Sequence, residues 1–294
     1  LASFDFDQAE GLRRMLAGPR PRIVTFLSAT PEDDKGAMLI NLGASMAQAG
    51  NEVLIVDSCE REYGVAQRLG MNKGPSLLQV ARQECALDEV VHKAAQGFSV
   101  SSLAREPRGS GRSAWVPAFA GTTGSAGPVG AEEQRRLAKA FEVMVQQAGV
   151  VMVDGEFGEN GFPVPLMASS EIVVQVSTGA ASITNAYALI KQLSQQLGRR
   201  PFGILVTGAS EAEAKVVYAN MASAATRYLA VTLISMGSVP ADEYLQRAAR
   251  LGRAVVDAFP LAGASVAFRQ LAGRFALAGM GQAELQGGGA HFGS

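Results

Sequence analysis

Residues 23–36 read Ile23-Val24-Thr25-Phe26-Leu27-Ser28-Ala29-Thr30-Pro31-Glu32-Asp33-Asp34-Lys35-Gly36. Ile23 to Leu27 is an apolar run of strand length. The next residues carry helix-start chemistry: Thr30 as N-cap, Pro31 at the first helical position, Glu32 and Asp33 as acids in the first turn. The stretch therefore predicts a strand running into a helix that begins near Pro31. A helix start after a first strand is a ready anion site, because free N–H groups and the helix dipole point outward there. A phosphate-binding loop fills that place with glycines, a lysine and Ser/Thr. Lys35 has the required chemistry, but the glycines are missing. The helix is expected to supply its own anions where a phosphate would sit.

Strand and helix signals alternate outward from this point. Strands are expected at Val53–Val56 (closed by Asp57), Phe98–Leu103, Val150–Val153 (ending in Asp154), Glu171–Val176, Pro201–Val206 and Val231–Val239. Helices are expected at Lys35–Ala49, Pro75–Gln83, Leu87–Ala95, Glu132–Ala148, Ser182–Leu197, Ala212–Tyr228, Asp242–Leu251 and Ser265–Ala278. Continuous apolar strands separated by helices argue for a mostly parallel sheet covered on both faces. Ligands of such sheets bind at the carboxyl ends of the strands. Asp57, Asp154 and the 28–36 loop fall at that edge.

Residues 105–130 break the alternation. They are rich in Gly, Ser and Pro and contain the single Trp. They read as a flexible insertion, with a binding loop around Trp115 and Phe119 as the alternative. At the other end, residues 6–17 read as a short amphipathic helix with Leu12, Met15 and Leu16 on one face, followed by a Gly/Pro/Arg linker at 18–22.

Composition excludes several classes. A net charge of −1 with scattered basic residues gives no nucleic-acid footprint. Two cysteines, Cys59 and Cys85, and two histidines, His92 and His291, form no metal-ligand pattern and no disulfide framework. Reduced thiols fit a cytoplasmic protein. Runs of about 18 apolar residues are absent, so no membrane span is expected. A signal peptide is not expected either, since no basic segment precedes an apolar one at the start.

Three stretches carry a family resemblance: Asp7-Gln8-Ala9-Glu10-Gly11-Leu12-Arg13, Ser182-Ile183-Thr184-Asn185-Ala186-Tyr187-Ala188-Leu189-Ile190-Lys191, and Gly237-Ser238-Val239-Pro240-Ala241-Asp242-Glu243 with Val255 to Pro260 after it. In order and spacing they resemble the FlhG/FleN family of flagellar regulators, within the deviant-Walker ATPases of the MinD/ParA group. The resemblance implies a three-layer, doubly wound, mostly parallel sheet of P-loop NTPase type. It divides the chain into an N-terminal partner-binding helix and linker (1–22), a MinD-like α/β domain (23–280) and a disordered tail (281–294).

The same resemblance implies ATP and Mg2+ as cofactors, held at Lys35, Gly36, Asp57 and Asp154. The motif residues depart from the family pattern. Lys35 falls on the phosphate lysine, but Gly36 stands where the Mg2+-ligating Ser/Thr belongs. Thr30 replaces the signature lysine, and Pro31, Glu32 and Asp34 replace glycines. Cys59 replaces the carboxylate that orients the attacking water, and Gly155-Glu156-Phe157-Gly158 replaces a small turn after Asp154. Val206-Thr207-Gly208 lacks the family's adenine-contacting Asn. Losing the metal ligand and the water-orienting acid would each cost several kcal/mol of transition-state stabilisation. A degenerate ATPase with little or no hydrolysis is expected.

Plainer readings stand beside these. Lys35 is either a phosphate lysine or a surface charge pairing with Glu32 at i+3. Asp57 and Asp154 either bind metal or cap helices and turns. Cys59 is a reactive thiol or a small half-buried residue, and His92 is a helix surface residue. The Asp7, Gln8, Ala9, Leu12 and Arg13 segment docks on its own domain or, by the resemblance, on a flagellar GTPase of FlhF type. A flagellar transcription activator and a C-ring protein are further partners the family implies. The C-terminal helix, with Phe268, Leu271 and Phe275 on one face and few basic residues, is expected to pack on the sheet, leaving membrane association weak or absent. The resulting expectation is a FlhG/FleN-like regulator of flagellar number and placement acting through protein contacts. The alternatives are a functional MinD-like ATPase cycling between membrane and cytosol, and a pseudo-ATPase regulator in cell division or polysaccharide secretion.

Overall fold

The apolar runs become eight strands of one sheet, ordered β3-β4-β2-β5-β1-β6-β7-β8. The strands are β1 (Arg22–Ser28), β2 (Val53–Asp57), β3 (His92–Lys93), β4 (Ser99–Ser102), β5 (Val150–Asp154), β6 (Glu171–Ser177), β7 (Phe202–Thr207) and β8 (Leu233–Val239). All neighbours pair parallel except β3, a two-residue edge strand antiparallel to β4. This computed structural model describes residues 21–59, 64–71, 73–103, 128–158 and 161–287. The Asp7–Arg13 segment, residues 105–127 with Trp115 and Phe119, and the tail from 288 lie outside the described residues.

Helices cover both faces, as the continuous apolar strands require. They are α1 (Lys35–Gln48), α2 (Val65–Arg68), α3 (Leu77–Ala81), α4 (Pro128–Val145), α5 (Pro165–Ser169), α6 (Ala180–Leu197), α7 (Glu211–Ala224), α8 (Glu243–Arg250), α9 (Val255–Ala258) and α10 (Gly263–Gly287). Strand alternation sorts the core by face. Ile55 and Met152 join Leu39, Leu42 and Phe268 under α1 and α10. Leu54, Val56, Val151 and Val153 pack with Leu77 and Phe141 on the other face. Further along that face, Ile172, Val174 and Val176 meet Ile190 and Val217 of α6 and α7.

Gly43 explains how closely α1 lies on the sheet. A Cβ there would stand 3.0 Å from Ile55 Cδ1 and 3.1 Å from the Met152 methyl carbon. The C-terminal helix packs as expected, with Phe268, Leu271 and Phe275 all buried. The Phe275 ring lies 5.6 Å from that of Phe26. Arg22 anchors the same corner: it grips Glu171 through Nε and Nη2 at 2.8 and 2.7 Å, donates to the Phe275 carbonyl, and lies over the Phe275 ring.

Several boundaries differ from the sequence expectation. The first helix begins at Lys35, as the Lys35–Ala49 expectation has it, and not at the cap signal near Pro31, because Pro31–Asp33 forms a separate 3-10 turn. The helix expected at Leu87–Ala95 is a 3-10 turn (Leu87–Val90) followed by β3, which places His92 on a strand. The short helices α2, α5 and α9 carry too few residues to show a period. α4 starts at Pro128, inside the expected insertion, and α10 runs to Gly287, so residues 281–287 continue a helix where a tail was expected.

Candidate functional site

The carboxyl ends of β1, β2 and β5 bring the 28–36 loop, Asp57 and Asp154 together, as the sheet topology requires. β1 and β2 flank β5, with Phe26 and Asp57 both in register with Asp154. These residues meet, but their hydrogen bonds run inward.

Lys35 points into the protein. Its side chain is 9% exposed, and Nζ lies 2.9 Å from Asp154 Oδ1. Nζ also donates to the carbonyls of Phe26, at 3.3 Å, and Gly155. The expected pairing with Glu32 is therefore wrong: the 3-10 turn carries Glu32 to the surface, while Lys35, as first residue of α1, reaches down the strand ends. Gly36 is buried beside it.

The loop uses its own donors. The Asp33 amide donates to the Thr30 carbonyl and the Asp34 amide to the Pro31 carbonyl, each at 3.3 Å. Pro31 has no N–H to offer. The N-cap of α1 is Asp34, not Thr30; its carboxylate accepts from the Ala37 amide at 3.3 Å and pairs with Arg68 Nη2 at 2.6 Å. Asp34 adopts the left-handed conformation, φ 51 and ψ 53, which aspartate tolerates better than most residues. Asp33 turns inward, where its Oδ2 accepts from Ser182 Oγ at 2.9 Å and from Ser28 Oγ at 3.4 Å. The carbonyl of Asp33 accepts from Gln175 Nε2.

Asp57 and Asp154 both hold the start of α2. Asp154 Oδ2 accepts from the Val65 amide at 3.3 Å and Asp57 Oδ2 from the Ala66 amide at 2.8 Å. Asp57 Oδ1 also accepts from the Cys59 amide at 3.0 Å. Gly64 makes this possible, because a Cβ there would lie 2.6 Å from Asp57 Oδ2. Cys59 Sγ is 3.2 Å from Glu156 Oε1, so the residues that follow the β2 and β5 ends contact each other. Among the described residues no cluster of three or more His, Cys, Asp or Glu has metal-holding geometry.

Two clefts flank the loop. One, of about 330 Å3, lies beside Lys35, Cys59, Asp154 and Glu156. The larger, of about 610 Å3, lies across the carboxyl ends of β6, β7 and β8, between the loop and α8. Sequence reasoning missed Arg68, Gln175 and Ser182 as loop partners. Ser182 belongs to one of the three family-like stretches, but nothing in its spacing marks a contact with Asp33. Gln175 is a polar residue inside an apolar strand, which is a legible signal of a buried hydrogen-bonded group.

A mostly parallel sheet with helices on both faces and this loop after its first strand is the fold of the MinD/ParA-type P-loop ATPases. MinD of Aquifex aeolicus superposes with a TM-score of 0.61 at 16% identity, covering 93% of this chain and all of that one. A ParA family ATPase from Chlorobium tepidum gives 0.59 at 14% identity over 87% of this chain and 98% of its own. MinD of Pyrococcus horikoshii, in a structure with Mg-ADP, gives 0.57 at 14% identity over 86% and 94%. In sequence the chain is similar to the antiactivator FleN of Pseudomonas aeruginosa, 29% identical over 235 residues that cover 79% of this chain and 78% of that protein. No family model matches the chain.

Proposed function

We propose that the chain is a FlhG/FleN-like regulator of flagellar number and placement that acts in the cytosol through protein contacts, with its ATP site degraded. The similarity to FleN supports the flagellar part. The engagement of Lys35 by Asp154 and two carbonyls carries the rest.

A Mg2+–triphosphate needs free backbone donors, a lysine directed at phosphate and a hydroxyl on the metal. Here two loop amides are spent inside the turn, Asp34 caps the helix that would face phosphate, and Gly36 offers no hydroxyl. These residues do not fit the group. Like-charge repulsion from Asp34 adds to the mismatch. A nucleotide-sandwiched dimer has no basis in this reading, and a monomer or nucleotide-independent dimer is expected.

Output then falls to protein contacts. The Asp7, Gln8, Ala9, Leu12 and Arg13 segment is the proposed contact with a FlhF-type GTPase, since a sequence of that length with a helical apolar period gains order by docking. A flagellar transcription activator and a C-ring protein are further candidates. Pull-down with the full chain tests this: retention of a flagellar GTPase, lost on Leu12→Asp, supports the proposal, and no retention contradicts it. The retained Lys35, Asp57 and Asp154 favour a second reading, a working MinD-like ATPase. Turnover of ATP–Mg2+ abolished by Lys35→Ala would establish it.

A further inference from the structure

Gln175 is completely buried on β6 and is one of the residues around the 610 Å3 cleft. Nε2 donates to the Asp33 carbonyl and to Thr207 Oγ1, the latter at 3.1 Å. Oε1 has no hydrogen-bond partner among the described residues. The amide cannot simply be turned over, because Oε1 would then face the lone pairs of the Asp33 carbonyl. A buried acceptor fixed in this way calls for a donor.

The charge around it has the same sense. Among the residues lining the cleft, Glu32, Asp33, Asp34 and Asp242 outnumber Arg68 and Arg253. Asp242 covers two helix starts, accepting from the amides of Tyr244 and Ala264 at 2.9 Å each. The positive helix ends that would draw an anion are therefore already met by protein carboxylate. The remaining wall is largely apolar, with Met38, Leu69 and Leu245 contributing.

We propose that this cleft takes a cationic ligand, an ammonium or guanidinium head on an apolar stem, with the head donating to Gln175 Oε1. The inference rests on the reading of the 28–36 loop as closed to phosphate. The same chemistry is available from a free amine and from an arginine side chain of a partner protein.

Isothermal titration of the full chain tests it with agmatine, with the peptide acetyl-Gly-Arg-Gly-amide and with ATP–Mg2+. Saturable binding of agmatine or the peptide is expected, weakening with added salt. Agmatine binding tighter points to a free amine as source, and the peptide binding tighter points to a protein. Gln175→Leu is expected to weaken binding roughly tenfold. Glu32→Gln, at an exposed position, is expected to weaken it about threefold. If Gln175→Leu fails to fold, Glu32→Gln and the salt dependence decide. Absence of binding by both cations overturns this inference alone. Binding indifferent to salt and to Glu32→Gln also overturns it. Saturable ATP–Mg2+ binding overturns the reading beneath it.

Discussion

Lys35 Nζ and Asp154 Oδ1 lie 2.9 Å apart, with side chains 9% and 1% exposed. The pair ties the first residue of α1 to the end of β5. Removing one partner of a buried pair leaves an uncompensated charge and costs about 3–5 kcal/mol. Lys35→Met is therefore expected to lower stability by about that amount in urea denaturation. Adding Asp154→Asn should recover part of the loss, and a double-mutant cycle should return a coupling energy above about 1 kcal/mol. A loss below about 0.5 kcal/mol would mean that Lys35 is a loosely held surface charge.

Asp34 combines a cap with a left-handed backbone. Asp34→Ala removes the carboxylate and retains a Cβ where φ is 51. It should cost about 1–2 kcal/mol. Asp34→Gly removes the same carboxylate but relaxes the backbone, so its cost should be a few tenths of a kcal/mol. Equal losses for the two variants would show that the αL conformation does not matter.

Much of this site was legible in the residues. The apolar runs at 23–27, 53–56 and 150–153 determine three adjacent strands, and their ends place Lys35, Asp57 and Asp154 together. The acids at 32–34 announced that the helix start would be met by protein carboxylate. Which acid does so was not legible. Thr30-Pro31-Glu32-Asp33 is a sound helix-start signal, yet the chain uses it for a 3-10 turn, and the cap passes to Asp34. Lys35 illustrates the same limit. Local spacing offers Glu32 as partner, whereas the sheet offers Asp154; the 3-10 turn carries Glu32 to the surface, and Lys35 at the helix start lies over the end of β5. Short helices such as α2 (Val65–Arg68) exist because Asp57 and Asp154 receive their first amides, a long-range cause that no local pattern carries.

Arg22 holds the C-terminal helix to the sheet through its guanidinium contacts with Glu171, the Phe275 carbonyl and the Phe275 ring. Lysine cannot reproduce that planar fork. Arg22→Lys is expected to cost about 1.5–3 kcal/mol in thermal or chemical unfolding. A neutral outcome would indicate that the C-terminal helix is held by Phe268, Leu271 and Phe275 alone.

The start of α7 carries a pH-dependent element. Ser210 donates to Glu213 through its hydroxyl and its backbone amide, and these bonds hold the Glu213 carboxyl below its usual range, the hydroxyl contributing most. A depressed folded-state pKa gives stability that is present above the unfolded value and lost as pH falls through the folded one. The melting-temperature gap between the parent and Glu213→Ala should therefore be constant near neutral pH and narrow on acidification below the ordinary glutamate range. A gap that widens on acidification would reverse the assignment.

Protein carboxylate and inward-facing hydrogen bonds already occupy the loop at residues 28–36, and the rest of the functional reading depends on this. Crystals grown with ATP and Mg2+ test it most directly. No nucleotide density is expected beside the loop, with Lys35 still on Asp154 and Asp34 still capping α1. ATP or ADP bound there, gripped by the backbone amides of residues 32–36 with Lys35 turned onto phosphate, would contradict it.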